Sequence, residues 1–215
     1  MNKALLVTRP NHDLTTNYLF CWSLPVIKEA RKKDFQVLDL EGNKANKKNF
    51  DSHIKRHRPI LVFFNGHGSK EMIGGFDNEV LVRVDRDEKL LSEKMVYARS
   101  CDSAEELGYK CVRKGTIVFI GYRRKYFLVY SQSKSTRPQQ DEVAKLFLEP
   151  SNLVPISLLK GNTASISFKK SQGGMRRNLR FMLSSKASQV QRDAAPYLWR
   201  NIKSQVVIGN KKAKI

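Results

Sequence analysis

The stretch Ile60-Leu61-Val62-Phe63-Phe64-Asn65-Gly66-His67-Gly68-Ser69 is an unbroken apolar run that opens at once into polar, glycine-rich sequence. Such a run reads as a strand buried on both faces, the pattern of a parallel sheet, and it leaves a histidine just past the strand's carboxyl end. Further on, Met95-Val96-Tyr97-Ala98 reads as a second strand and runs into Arg99-Ser100-Cys101-Asp102-Ser103, so a thiol also stands at a strand end. Open parallel sheets bind ligands at the carboxyl edge. With the two strands as neighbours, His67 and Cys101 face one crevice.

Outward from this centre the chain alternates strand and helix signals. Ala4 to Thr8 and Gln36 to Leu40 read as strands, and between them Asp13 caps a helix carrying Tyr18, Cys21, Trp22 and Ile27, which Pro25 kinks or divides. The polar segment from Gly42 to Arg58 has a helical middle. Met72-Ile73 and Val80-Leu81-Val82, separated by glycines and a turn, predict a small hairpin over the sheet edge. Ser103-Ala104-Glu105-Glu106 has the form of a capping box and predicts a helix with Ala104, Leu107, Cys111 and Val112 inward, ended by Gly115. Thr116 to Tyr122 is another buried strand, and a polar loop from Arg123 to Gln140 follows, built around Tyr126 to Tyr130. Asp141 then heads a helix that Pro150 is expected to end. Two further helices are expected, from about 163 to 184 with a break at Gly173-Gly174 and from about 191 to 204, before an edge strand at Val206 to Gly209. No internal repeat is visible. The expectation is one α/β domain over residues 1–215, a mostly parallel sheet covered by helices on both faces, with a basic helical part from about 161.

The net charge is +20, and the excess is greatest late in the chain. From Gly161 onward there are 12 Lys or Arg against one acidic residue, Asp193. A surface of this kind suits nucleic acid or an acidic protein partner, or simply keeps the protein solvated, and no aromatic-interleaved RNA motif or zinc finger accompanies it. Three cysteines without a pairing pattern fit a reducing compartment. The first residues lack the apolar run of a signal peptide and no stretch is long enough to span a membrane, so a cytoplasmic location is expected. His53 and His57 lie four apart in a helical stretch but have no adjacent third ligand, so no metal site is expected, and no motif implies a cofactor.

The chemistry centres on the thiol. An imidazole nearby and a helix amino terminus after Ser103 would favour the thiolate of Cys101, and the backbone N–H groups of Gly68 and Cys101 could hold an oxyanion. Taken singly, each residue has a plainer reading. His-Gly is a common turn, and a cysteine at a strand end is most often a small buried hydrophobe.

The joint order resembles a known family. An apolar strand running into His67-Gly68, then a later strand ending in Ala98-Arg99-Ser100-Cys101 with Ser103 beyond, is similar to the caspase-like cysteine peptidases of clan CD. Gly66-His67-Gly68-Ser69 is nearest to the histidine motif of the gingipain and CHAT-domain branches. Phe119-Ile120-Gly121-Tyr122 followed by Asp141 resembles what comes after the cysteine helix there. The resemblance, which runs in outline from Ala4 to about Gly161, implies a three-layer α/β/α caspase-like sandwich and a cysteine endopeptidase acting on peptides or proteins. It implies His67 as the general base or acid, Cys101 as nucleophile and Gly68 as an oxyanion donor. The Gln-Ala-Cys-Arg-Gly stretch of caspases is absent, and Ala104 stands where many relatives have glycine. Specificity for Arg or Lys follows from the same resemblance, with Asp141 as the reader of the basic side chain and Asp102 as the second choice. Asp141 equally suits a helix N-cap, and Arg123 and Arg124 would read an acidic side chain instead. Activity gated by a separate regulatory protein is in keeping with the CHAT branch. The alternative function is a catalytically silent basic module that binds nucleic acid or a partner protein. Redox sensing by Cys101, which lacks a nearby resolving cysteine, ranks last.

Overall fold

In a computed structural model that describes residues 3–215, eight strands and seven α-helices alternate as the apolar runs predict. Strands β1 (Ala4–Arg9), β2 (Gln36–Glu41), β3 (Leu61–Asn65), β6 (Met95–Arg99), β7 (Val118–Tyr122) and β8 (Gln205–Gly209) form one sheet in the order β2-β1-β3-β6-β7-β8. All neighbours are parallel except β8, which runs antiparallel to β7 along one edge. The remaining pair, β4 (Met72–Gly74) and β5 (Val80–Arg83), is the expected antiparallel hairpin.

Burial explains the sequence pattern. Every residue of β1, β3, β6 and β7 is buried, whereas the edge strands β2 and β8 are buried only in part. Alternate side chains then point to opposite faces. Leu6, Val62, Phe64, Val96 and Phe119 pack with Phe50 and Ile54 of helix α3 (Lys47–His57) and Leu107 and Cys111 of helix α4 (Leu107–Arg113). On the other face Leu5, Val7, Phe63, Tyr97 and Ile120 meet Val26, Ile27 and Ala30 of helix α2 (Leu24–Lys32) and Val154 and Leu158 of helix α5 (Glu142–Leu159). The result is three layers, helix, sheet and helix.

Four local expectations need correction or refinement. The helix after Asp13 is two helices, α1 (Leu14–Trp22) and α2, divided at Ser23 with Pro25 in the first turn of the second, where its missing N–H costs nothing. Pro150 does not end α5, which continues through both Pro150 and Pro155. Its later turns bury Ser151, Asn152, Val154 and Leu158 against the sheet and its neighbours, and that packing offsets the roughly 3 kcal/mol penalty of an internal proline. Gly173-Gly174 does not break helix α6 (Ala164–Met182) either. A Cβ at Gly174 would lie 2.9 Å from Pro150 Cβ and 3.1 Å from Leu153 Cδ1, so the glycine sets how closely α5 and α6 approach. Last, the predicted capping box at Ser103 does not form: residues 101–106 are turns, α4 starts only at Leu107, and its N-cap Glu106 makes no side-chain capping bond. Helix α7 (Gln189–Ser204) leads directly into β8. No helix is long and apolar enough to cross a membrane.

Candidate active site

Because β1, β3 and β6 are adjacent and parallel, their carboxyl ends open onto one edge of the sheet. β1 delivers the segment Pro10-Asn11-His12-Asp13, β3 delivers Gly66-His67-Gly68, and β6 delivers Ser100-Cys101-Asp102. Register ties two of these together. Asn65 pairs with Arg99, so His67 and Cys101 each stand two residues beyond the same rung, on strands that run roughly 4.8 Å apart.

Gly68 closes the gap between the two loops. A Cβ there would overlap Ser100 Oγ and would stand 3.0 Å from the Met72 carbonyl oxygen and 3.1 Å from that of Cys101. Only a residue without a side chain lets the His67 loop press so tightly on the Cys101 turn. The neighbouring bonds Ser69 N–H to Met72 O and Gly74 N–H to His67 O, both 2.9 Å, fix that loop onto β4. They leave the Gly68 N–H free. Among the described residues neither it nor the Cys101 N–H donates to a protein acceptor.

His67 has a partner that the sequence reading assigned only to a helix cap. Its Nε2 lies 2.5 Å from Asp13 Oδ2. The other oxygen of Asp13 accepts the Thr16 N–H at 2.7 Å and caps α1, and the Asp13 N–H in turn donates to Thr16 Oγ1. Burial works to raise the Asp13 carboxyl, but the Thr16 amide and His67 outweigh it and hold it below the ordinary 3.8. A carboxylate can only accept, so it fixes the proton of a neutral His67 on Nε2 and leaves Nδ1 as the basic nitrogen. With His67 54 residues away, nothing in the local sequence separates this aspartate from an ordinary N-cap.

Cys101 is half-buried at the turn that carries it. Asp102 holds φ +55°, the left-handed region, which turns the chain sharply just after the thiol. Sγ donates to the Tyr126 carbonyl at 3.7 Å, and burial pushes the thiol above its ordinary value, more than that bond lowers it. The expected thiolate-favouring helix terminus is absent, since α4 begins six residues on. Burial and the absent helix terminus both favour the thiol over the thiolate at Cys101. Cys21 is also raised by burial, and Cys111, packed in the core, is pushed up to about 12.

Arg99 holds the platform beneath. It is fully buried and meets no carboxylate among the described residues; its guanidinium donates to Asn65 Oδ1 on β3, to Asn152 Oδ1 on α5, and to Leu19 O and Ser23 Oγ at the α1–α2 junction. Neutral acceptors from three elements thus converge on the residue two before Cys101.

The two aspartates named for specificity part company. Asp141 is fully buried at the head of α5, where one oxygen accepts the Val143 and Ala144 N–H groups and the other accepts the Tyr18 hydroxyl and the Ser131 N–H. Both oxygens are occupied, which leaves none for a substrate. Asp102, the residue after Cys101, instead lines a cavity of about 490 Å³ walled by Phe127 and Trp199, and it forms no ion pair among the described residues. Burial and Glu105 raise its carboxyl. Arg124, Lys125, Arg200 and Lys203 also line the cavity, with Arg124 already bound to Glu105 and Arg200 and Lys203 lying over Phe127 and Trp199. Arg123 lines a separate hollow. His53 and His57 stack on each other at 5.6 Å without a third ligand, whereas His12, Asp13 and His67 bring three ligand atoms together.

No protein-family model matches this sequence, and no curated protein does. Solved structures do match. The crystal structure of the Arg-specific cysteine proteinase gingipain R superposes with a TM-score of 0.62 at 10% identity, over 99% of this chain and 47% of that one. The complex of the Porphyromonas gingivalis RgpB pro- and mature domains gives 0.60 at 11%, over 99% of this chain and 48% of that one. The chain has the caspase-like fold. It spans about half the length of the gingipain structures it matches. In this fold the joined ends of β1, β3 and β6 form the open carboxyl edge, and they carry Asp13, His67 and Cys101.

Proposed function

We propose that this caspase-like protein is a cysteine endopeptidase in which Cys101 is the nucleophile, His67 the general base and acid, and Asp13 the residue that orients the imidazole. The observation that carries the reading is the seating of Gly68 on the Ser100–Cys101 turn, which brings the histidine loop and the thiol loop into contact. A resting thiol bonded to a carbonyl does not oppose this. His67 Nδ1 takes the proton as Sγ attacks the scissile carbonyl, the Sγ–C bond forms, and the protonated imidazole then delivers that proton to the leaving amine. Water, deprotonated by the same nitrogen, splits the thioester. The N–H groups of Gly68 and Cys101, which have no protein acceptor among the described residues, would receive the oxyanion. Structural likeness to gingipain R at 10% identity supports the architecture of such a site and leaves the chemistry to these residues.

For the substrate side chain, Arg or Lys is proposed, read by Asp102 rather than Asp141. Asp102 is adjacent to the nucleophile and unpaired, and Phe127 and Trp199 offer flat walls to a long methylene stem. A fluorogenic peptide library tests both levels. Turnover lost in Cys101→Ala and His67→Ala, with Arg or Lys preferred and that preference lost in Asp102→Asn, is the expected outcome. Turnover untouched by Cys101→Ala refutes the peptidase reading, while cleavage after Asp or Glu transfers the specificity role to the cavity's cations.

A further inference from the structure

We propose that His12, Asp13 and His67 form a binding site for a zinc-type divalent metal ion, and that the ion switches off the peptidase by taking Nε2 of His67. The inhibitory role rests on the proposed function of His67; the metal site does not.

One ligand atom from each of the three residues lies within 4.8 Å of the others. His12 Nε2 is 3.7 Å and His67 Nε2 2.5 Å from the same Asp13 oxygen. Tetrahedral zinc, at roughly 2.0–2.2 Å from nitrogen and oxygen ligands, needs those atoms a little over 3 Å apart. The ion therefore asks the His67–Asp13 distance to open by about 1 Å and the His12–Asp13 distance to close slightly.

His12 supplies the independent observation. Its side chain is nine-tenths buried, with 10% exposed, and neither ring nitrogen has a hydrogen-bond partner. The ring stands edge-on to His67 at 5.9 Å and to Phe76 at 5.5 Å. A buried imidazole with both nitrogens unpaired is costly. Phe76 supplies only a wall, so packing alone would be served by an apolar ring. A metal ion gives the nitrogen nearest Asp13 a partner. Two imidazoles and one carboxylate suit zinc and its neighbours cobalt and nickel, not magnesium or calcium, which prefer larger sets of oxygen ligands. The fourth position is left for water.

The switch follows from proton placement. Without metal, Asp13 holds the His67 proton on Nε2 and Nδ1 is free to act as the base. When the ion takes the Nε2 lone pair, the single proton of the neutral ring must sit on Nδ1. A protonated Nδ1 cannot accept the Cys101 proton, so the base is lost without the ion touching sulfur.

The test is a calorimetric titration of zinc into chelator-treated protein, with cobalt as the spectroscopic probe, in a Cys101→Ala background that removes the neighbouring thiol. One equivalent should bind, with tetrahedral cobalt absorption and no thiolate-to-cobalt charge-transfer band. His12→Phe keeps a ring against Phe76 and should weaken binding at least about tenfold, the lower range for losing even a supporting partner of a metal site. His12→Gln serves as the second variant should the first fold poorly, and Asp13→Asn should act in the same direction. No stoichiometric binding, unchanged binding in the His12 and Asp13 variants, or a thiolate band overturns the site. With Cys101 intact, chelator-treated protein should cleave peptide, lose activity in zinc and regain it on chelation, while His12→Phe should stay active in zinc. Zinc binding alongside activity that zinc does not alter overturns the inhibitory role. Zinc binding by a metal-free protein with no turnover at all defeats the peptidase reading instead and leaves the site standing.

Discussion

Replacing Gly68 by alanine places a methyl group inside the contact that joins the two loops. The new Cβ overlaps Ser100 Oγ and comes within 3.0 and 3.1 Å of two carbonyl oxygens, Met72 and Cys101, that belong to backbone and cannot rotate away. Clearing the overlap demands a shift on the order of 1 Å in one loop. Overpacking of this kind costs about 1–3 kcal/mol, which in a domain of this size lowers Tm by roughly 2–10 °C. A misplacement of that size at reacting atoms costs about 10²-fold in rate. Gly68→Ala is therefore expected to melt modestly lower but to lose about 100-fold in peptide turnover. Ser100→Ala removes the overlapping oxygen, which is buried and unpartnered, at little cost of its own. The double variant should recover most of the lost Tm and part of the lost rate, a coupling read by a double-mutant cycle. Wild-type melting and turnover in Gly68→Ala would show that the loops are not in the contact described, and the reasoning would fail.

Other variants probe the neighbouring parts. Asp13→Asn keeps a good N-cap for α1 but loses the carboxylate on His67, so turnover should fall by about 10²-fold or more while Tm changes little; equal loss of stability and rate would make Asp13 a cap only. Because the folded Asp13 carboxyl lies below its ordinary 3.8, its stabilising contribution is complete above that pH and drains as pH falls from 3.8 through the lower folded value. Acid titration of wild-type and Asp13→Asn unfolding should thus converge as pH falls through that acid window, and a difference that persists unchanged below it counts against the pair. Alkylation of Cys101 followed by mass spectrometry should still be accelerating at pH 9, the ordinary thiol value, since burial raises it, with Cys111 unreactive in the folded protein; a plateau below pH 8 contradicts a buried neutral thiol. Arg99→Ala should cost about 3 kcal/mol or more, because it leaves acceptors from β3, α5 and the α1–α2 junction unpaired in the core; a denaturant midpoint near wild type refutes the clamp.

The sheet was legible because burial on both faces leaves a plain mark: Leu61 to Phe64 and Met95 to Ala98 are apolar without alternation, and both became central strands. The edge strand near Val206 was legible from its short apolar run, Val206-Val207-Ile208, although it is buried only in part. What failed to read were effects carried by tertiary contacts. Pro150 and Gly174 look like breakers in isolation, yet they meet face to face where α5 and α6 pack, and each is tolerated because of the other. The Ser103 capping pattern was present without the helix start, because Ala104 N–H bonds instead to the Tyr122 carbonyl and holds the segment as a turn. At the site, His67 and Cys101 stood out as reactive side chains at strand ends. Asp13 did not, since an aspartate before a helix is read as a cap, and here one oxygen does cap while the other reaches a histidine from another strand. Asp141 shows the converse, a carboxylate in a suggestive place whose bonds are all local or to Tyr18.

The central claim, a thiol at Cys101 driven by the imidazole of His67, is tested most directly by trapping the nucleophile as a thioether, with the probe's carboxylate as leaving group. A peptidyl acyloxymethyl ketone ending in arginine, incubated with the intact protein, should add one equivalent of mass that maps to Cys101. His67→Ala should slow that reaction by about 10²-fold or more while leaving slow labelling by iodoacetamide in place. Equal labelling of wild type and His67→Ala, or adduct on Cys21 in place of Cys101, would contradict the account.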